Sequence, residues 1–215
     1  MHPAYAATGL TVPSNNFTDN SNEISQKEVA DGYVSVTGVG NAGYSGFTLS
    51  NTAISITASA ESTDGVAGTT GIFNSGSTNI SGDTDITIMA IGGTVTSTST
   101  SADAYAYGGI WNSGSVSISG DANITATAIG GTAMSAFADA SGISNFGSVS
   151  ISGDTDINVT AIGGTASAAN GYANANAYGI YNASGTVNLE KNVTITTSAM
   201  AKNGVAYAYA LHANG

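Results

Sequence analysis

Three aspartates occupy the same place in a phrase that the chain repeats. Asp83, Asp121 and Asp154 each follow Ser-Gly, and Asn192 takes that place in a looser fourth copy. Paired carboxylates cleave glycosidic bonds as acid and base, and clustered oxygens bind Ca²⁺. However, none of these aspartates is unique to one copy, and the Gly-Gly-x-Gly-x-Asp repeat of calcium-binding β-rolls is missing. The pattern therefore favours solvated turns, with a metal site as the weaker alternative.

Other catalytic chemistry finds little support in the residue types. A Ser-His-Asp triad needs a histidine, and the two histidines, His2 and His212, lie near the ends of the chain. A polysaccharide lyase would also need a basic residue, and the chain has only three lysines and no arginine. We therefore expect a protein that is not an enzyme and needs no cofactor.

Aromatic residues are the best candidates for contact with a partner, because large rings offer contact area at low entropic cost. One group occupies the same position in successive copies of the phrase and consists of Phe73, Trp111, Tyr181 and His212. In the third copy Ser144 takes this position, and Phe146 follows two residues later. A second group lies between the copies and comprises Tyr105, Tyr107, Tyr172, Tyr178, Tyr207 and Tyr209. Two interpretations stay open. The rings stack on one another and stiffen the molecule, or they form a binding surface, for which the candidates are Tyr105, Tyr107, Trp111, Tyr172, Tyr178 and Tyr181.

An asparagine follows the same aromatic position in every copy. Asn74, Asn112, Asn145 and Asn182 are separated by 38, 33 and 37 residues. Asparagine tolerates turn geometry, and stacked amides can hydrogen-bond along a row. The spacing predicts a structural asparagine ladder, with a ligand site as the alternative.

The phrase itself predicts the fold. Three copies have equal length from first to last glycine, and a fourth is looser: Gly71–Gly93, Gly109–Gly131, Gly142–Gly164 and Gly179–Lys202. Within a copy, apolar and small polar residues alternate with a period of two, and Gly, Asn and Asp separate the alternating runs. The changes in length fall between copies, in residues 94–108, 132–141 and 165–178. We interpret these segments as variable arms, where the chain leaves a regular stack.

No single copy can bury its apolar residues, but copies stacked about 4.8 Å apart would join them into rows. Val116 and Ile118, for example, would stack on Val149 and Ile151. The sequence therefore predicts an all-β parallel β-solenoid, a right-handed β-helix of about five coils with a repeat of 33–38 residues. Residues 1–32, which hold both prolines, are predicted as a leader and N-terminal cap, and residues 33–215 as the solenoid with an incomplete last coil.

Composition excludes several classes of partner. The net charge is −11 with three lysines, which opposes binding to nucleic acids and to anionic lipids. No apolar run approaches the roughly 20 residues of a membrane helix, so we expect no membrane insertion of this segment. Since the chain has no cysteine, packing and backbone pairing must hold the fold.

The phrases Ala177–Asn182, Val149–Asp154 and Ala161–Ala166 resemble repeats of bacterial autotransporter passenger domains and related large surface adhesins. The resemblance covers residues 33–215 and concerns composition and repeat style. It implies a right-handed β-helix, an extracellular or cell-surface location, and a role in adhesion or aggregation. It implies no shared catalytic residues.

Two functional hypotheses follow. The first is a non-enzymatic extracellular β-helix that mediates adhesion, with itself or with a host or cell-surface protein or glycan as partner, through the variable arms and their tyrosines. The second is a structural subunit that stacks end to end into a filament. This hypothesis rests on the last stretch, Ala208–Gly215, which looks like the start of another copy. A strand edge that has no partner can pair with a strand of another molecule.

Overall fold

The computed structural model describes residues 4–95, 101–166 and 171–213, and these residues form strands and turns. Each strand pairs in parallel with its equivalent one repeat further on, which confirms the predicted parallel β-solenoid. The stack has about six turns, one more than expected. Within the described ranges, no helix is long and apolar enough to cross a membrane.

One side of the solenoid is a seven-stranded parallel sheet whose strands come from successive turns. Its order is β1-β4-β6-β8-β12-β16-β19. The strands are β1 (Ala4–Thr11), β4 (Tyr33–Asn41), β6 (Ala67–Asn74), β8 (Ala104–Asn112), β12 (Ala138–Asn145), β16 (Ala175–Asn182) and β19 (Ala206–Ala213).

The other side is a ten-stranded sheet with two parallel rows of strands. The short row contains β2 (Thr18–Asp19), β9 (Ser115–Ile118), β13 (Ser148–Ile151) and β17 (Thr186–Leu189). The long row contains β3 (Glu23–Ala30), β10 (Ala122–Ile129), β14 (Thr155–Ile162) and β18 (Val193–Met200), while β5 (Phe47–Ser62) and β7 (Ser77–Ile91) run through both rows. A small third sheet pairs β11 (Thr132–Ala133) with β15 (Thr165–Ala166).

The core lies between the two large sheets and consists of rows of identical or similar side chains. Ile86, Ile124 and Ile157 pair in register along the long row, and all three are buried. Val116 and Val149 do the same in the short row, as the repeat predicted. Because inward positions are apolar and outward positions small and polar, stacking buries surface that no single turn could bury.

The first glycine of each phrase marks a close approach of the two sheets. A Cβ atom placed on Gly109 would overlap with Cγ2 of Ile124, and one on Gly142 would overlap with Cγ2 of Ile157. Gly71 stands in the same relation to Ile86. The glycine that opens each phrase is therefore required by packing across the core.

The predicted boundary after residue 32 does not coincide with a break in either sheet. β1 pairs with β4 and β3 pairs with β5, and Ile24 is buried beside Ile56. Despite its different composition, the described part of this segment thus forms the first turn of the stack, which accounts for the additional turn. Its role as a cap, and the right-handed sense of the coil, stay predictions.

The variable arms are only partly outside the stack, which corrects the sequence interpretation. The second part of each arm is a strand of the seven-stranded sheet: β8, β12 and β16 begin at Ala104, Ala138 and Ala175. Tyr105 and Tyr178 therefore lie in strands, because most of the change in length falls before each strand. One residue of the change falls within β8, where the pairing with β12 shifts register.

Candidate functional site

The asparagine ladder is present as a column of side-chain hydrogen bonds. The Nδ2 atom of Asn74 donates to Oδ1 of Asn112 at 2.8 Å, Asn112 donates to Asn145 at 2.9 Å, and Asn145 donates to Asn182 at 2.8 Å. The same Nδ2 atoms also donate to backbone carbonyls of the following turn, such as that of Ser115 at 2.9 Å. Because these side-chain amides already form hydrogen bonds within the protein, the ladder supports a structural role over a ligand site.

Asn41 extends the ladder by one member that the sequence interpretation missed. Its Nδ2 donates to Oδ1 of Asn74 at 2.9 Å, and its side chain is fully buried. The signal was present, because Gly38 stands three residues earlier, as the phrase requires, although Gly40 replaces the aromatic residue.

The aspartate turns form a second, exposed column. The backbone N–H of Asp121 donates to Oδ1 of Asp83 at 3.0 Å, and that of Asp154 donates to Oδ1 of Asp121 at 2.8 Å. Asn192 continues the column with a 3.2 Å bond to Asp154. In the described part of the chain, no group of three or more His, Asp or Glu side chains is arranged to hold a metal ion. Through these hydrogen bonds Asp83, Asp121 and Asp154, the weak metal candidates, link successive turns.

The first aromatic group forms a row on the outer side of the seven-stranded sheet. Phe73 and Trp111 stack with ring centroids 4.7 Å apart, and Tyr181 and His212 stack at 5.4 Å. Phe146 fills the place that Ser144 leaves empty, because its ring lies 5.7 Å from that of Trp111 and 6.3 Å from that of Tyr181. The row therefore continues without interruption from β6 to β19.

The tyrosines of β8, β16 and β19 lie beside this row. Tyr178 stacks on Tyr209 at 5.5 Å, and Tyr105 stacks on Tyr107 at 5.4 Å. Tyr172 lies outside the strands and is 63% exposed, and within the described residues no ring contact joins it to the others. We define the aromatic face as Phe73, Tyr105, Tyr107, Trp111, Phe146, Tyr178, Tyr181, Tyr207, Tyr209 and His212.

A cavity of about 280 Å³ opens in the aromatic face over β12. It exists because β12 carries small side chains where its neighbour carries rings: Ser141 pairs with Tyr178, and Ser144 pairs with Tyr181. The hydroxyl group of Ser144 already has a partner, because its Oγ donates to the backbone carbonyl of Tyr107 at 2.8 Å. This bond lies where the pairing of β8 with β12 shifts register. The side chains around the cavity include Tyr107, Trp111, Asp139, Phe146, Tyr178 and Tyr181.

Asp139 is the charged group of this cavity, and sequence reasoning missed it. Its Oδ1 atom is buried, and none of the described residues donates a hydrogen bond to it. Desolvation by burial raises the pKa of Asp139 from 3.8 to about 6. Asp103 shows the contrast, because Oδ1 accepts from the N–H of Phe137 at 2.9 Å and Oδ2 from the hydroxyl of Tyr105 at 3.2 Å.

The hydroxyl groups near Asp139 stay protonated at neutral pH. Burial, and then the charge and hydrogen bond of Asp103, raise the pKa of Tyr105 to about 12. Burial is also the first cause that raises the pKa of Tyr107, and burial followed by the Asp139 carboxylate raises that of Tyr178. These tyrosines therefore contribute neutral rings and polar hydroxyls, and the negative charge comes from Asp139.

A signal for Asp139 existed in the alignment of the copies. Ala138-Asp-Ala-Ser-Gly-Ile stands where the neighbouring strands read Ala104-Tyr-Ala-Tyr-Gly-Gly-Ile and Ala175-Asn-Ala-Tyr-Gly-Ile. One copy thus lacks the tyrosines and has a carboxylate instead. That departure is informative because the surrounding phrase is otherwise repeated.

No protein-family model, curated protein or solved structure matches the chain. The likeness to autotransporter passenger domains therefore stays a resemblance in repeat style, and function must be argued from the fold and its side chains.

Proposed function

We propose that this chain is a non-enzymatic, adhesive β-solenoid that binds its partner through the aromatic face. The observation that carries the proposal is the row of rings from Phe73 to His212 on one side of the molecule. Its members are partly accessible, with Phe146 and Tyr107 both 42% exposed. Contiguous exposed rings on an otherwise polar surface mark interaction sites.

The opposite sheet supports a binding role over a purely stiffening one. Most of its outward positions carry small polar residues, for example Ser115 and Ser117 in β9 and Thr127 in β10, and its outward apolar residues are aliphatic, such as Ile129. Those strands stack in register without rings on their outer side. Since the fold does not require outward aromatic residues, their concentration on one sheet has a separate cause, which we assign to partner contact.

The repeat architecture suits adhesion because it presents the same kind of contact several times. Adjacent strands lie about 4.8 Å apart, so the rings on β6, β8, β16 and β19, with Phe146 just after β12, cover about 20 Å of surface. Several weak contacts on one rigid surface raise the overall affinity without any strong single site. The proposed partners are a second copy or a host or cell-surface protein or glycan, and the proposed location is extracellular or at the bacterial cell surface.

Adhesion can be tested with latex beads coated with the chain. We expect the beads to clump with one another or to attach to cultured epithelial cells. The triple variant Tyr107→Ser, Tyr178→Ser and Tyr209→Ser should lose most of this activity, while Tyr44→Ser should keep it. Tyr44 is the matched control because it is 38% exposed but lies in the turn between β4 and β5.

Circular dichroism and melting temperature establish that the triple variant is folded. A folded triple variant that clumps and attaches as well as the wild type would contradict the proposal.

End-to-end assembly is a second candidate, favoured by the exposure of the last described turn. Leu211 in β19 is 62% exposed, whereas Ile180, its partner in β16, is 5% exposed. A further turn stacked on β19, from the same chain or from a second copy, would bury Leu211. If second copies supply it, electron microscopy should show filaments with a repeat of about 29 Å, six turns of about 4.8 Å. Leu211→Glu should abolish the filaments, and single particles at all concentrations would contradict this candidate.

A further inference from the structure

We propose that the cavity over β12 binds an organic cation, an alkylammonium or quaternary ammonium group held between the Asp139 carboxylate and the surrounding rings. The inference deepens the proposed adhesive function by naming the chemical group that the aromatic face recognises. It rests on that function only in taking this face as the contact surface.

The first support is the arrangement of the rings around the cavity. Tyr209 covers one side of Tyr178, and the other side of Tyr178 lies next to Ser141, which carries no ring. Phe73 likewise covers one side of Trp111, and the ring of Phe146, tilted by 42°, lies 5.7 Å from that of Trp111. Tyr178 borders the gap from β16, and Trp111 with Phe146 borders it from the other side. A cation within about 6 Å of a ring centroid is attracted by the negative ring face, most strongly for tryptophan.

The second support is the state of Asp139. Its Oδ1 atom is buried without a hydrogen-bond donor among the described residues, and no lysine is among the residues that line the cavity. A buried carboxylate without a counter-charge destabilises the structure that contains it. An ammonium group supplies the missing charge and the missing donor at once, and the net charge of −11 attracts cations to the molecule.

A neutral sugar is the competing ligand, and the charge distribution disfavours it. A sugar could stack on Tyr178 and donate a hydroxyl hydrogen bond to Asp139, but it would leave the carboxylate charge buried and unbalanced. The cavity of about 280 Å³ accepts one small group, such as a trimethylammonium head or the end of a lysine side chain. We therefore infer that the source is either a lysine of a partner protein or a quaternary ammonium headgroup.

The chain carries its own probe for the test, because Trp111 is its single tryptophan and lines the cavity. Fluorescence is followed while tetramethylammonium chloride, n-butylammonium chloride or methyl α-glucoside is added at pH 8, with sodium chloride keeping the ionic strength constant. Saturable binding of either ammonium salt in the millimolar range supports the proposal, and the tighter of the two identifies the source. Saturation by the glucoside alone, or by none of the three, overturns it.

Two pairs of variants separate a specific site from general attraction of cations. Asp139→Asn should weaken ammonium binding about tenfold or more, whereas Asp85→Asn, at an exposed position of β7, should not change it. Tyr178→Ser should weaken binding, and Tyr178→Phe, which keeps the ring, should restore it. Equal effects of Asp139→Asn and Asp85→Asn would overturn the proposal.

The pH dependence gives an independent readout. The titratable groups around Asp139 are Tyr105 and Tyr107 from β8 and Tyr178 and Tyr181 from β16. Burial is the first cause that raises the pKa of Tyr105, Tyr107 and Tyr178 above the ordinary value of a tyrosine. Between pH 5 and pH 7, the facing group that changes charge is therefore Asp139. Its pKa of about 6 implies that affinity falls about tenfold from pH 7 to pH 5. An affinity that stays constant over this range would count against the site.

These outcomes are separable from those of the adhesion test. Beads that attach through the aromatic face while no ammonium salt binds would overturn the cation site and leave the adhesive function standing. Binding of ammonium salts by a chain that neither clumps nor attaches would overturn the adhesive function, and the cation site would stand on its own.

Discussion

Replacing Asp139 by Asn should stabilise the protein in a pH-dependent manner. The folded state raises the pKa of this carboxyl from 3.8 to about 6, so it binds a proton that the unfolded chain releases. The contribution of Asp139 to the stability of the wild type therefore falls as the pH rises from about 4 to about 6, and the loss is complete above the folded-state pKa. Asparagine has nearly the same shape and carries no charge to desolvate.

The magnitude follows from the size of the shift. One pKa unit corresponds to about 1.4 kcal/mol, and a shift of about two units gives at most about 3 kcal/mol. Because one part of the side chain meets solvent, we expect about 2 kcal/mol at pH 8 and almost none at pH 4. For a chain of this size, 2 kcal/mol raises the melting temperature by about 4–8 °C.

The assay is thermal unfolding followed by circular dichroism at pH 4, 5, 6, 7 and 8. The same experiment with Asp85→Asn provides the control, because this carboxylate is exposed on β7. A gain for Asp139→Asn that is equal at pH 4 and pH 8 would refute the reasoning, since it would show that desolvation of a charge is not its cause. A carbon NMR titration of the Asp139 carboxyl gives the pKa directly.

Two further substitutions test what holds the turns together. Gly142→Ala should destabilise the fold by about 2–4 kcal/mol, because the added Cβ enters the close contact between the sheets, whereas Ser150→Ala on the outer side of β13 should have little effect in urea unfolding. Asn112→Ala should cost about 2–4 kcal/mol by leaving buried amide partners unsatisfied, and Asn188→Ala at an exposed position should not. Equal urea midpoints within either pair would contradict the corresponding role.

Much of the fold could be predicted because the same pattern of apolar and polar residues occurs in several copies of the repeat. The period of two identifies inward positions, and equal spacing of Asn112 and Asn145 within their phrases places them in register. The first turn could not be found this way, because pairing in a sheet is made by the backbone and leaves outward side chains free to differ. Ile24 and its neighbours join the stack without repeating the phrase.

The candidate site was predicted in part for the same reason. The refilling of the row by Phe146 was readable from its spacing, and the rings of Trp111 and Tyr181 lie where the phrase places them. Asp139 was hidden because its significance lies in what surrounds it: a carboxylate becomes unusual only when burial removes its water and no donor replaces it. The burial of Asp139 and the residues around it result from the packing of three adjacent turns, which the sequence does not show directly.

The asparagine column gives the molecule a direction along its long axis. Each side-chain amide from Asn41 to Asn145 donates to the asparagine of the next turn, and each from Asn74 to Asn182 accepts from that of the previous turn. The amide dipoles therefore add rather than cancel, and each bond polarises the next. The donor end of the column lies at Asn182 and the acceptor end at Asn41, so the two ends of the ladder differ in polarity.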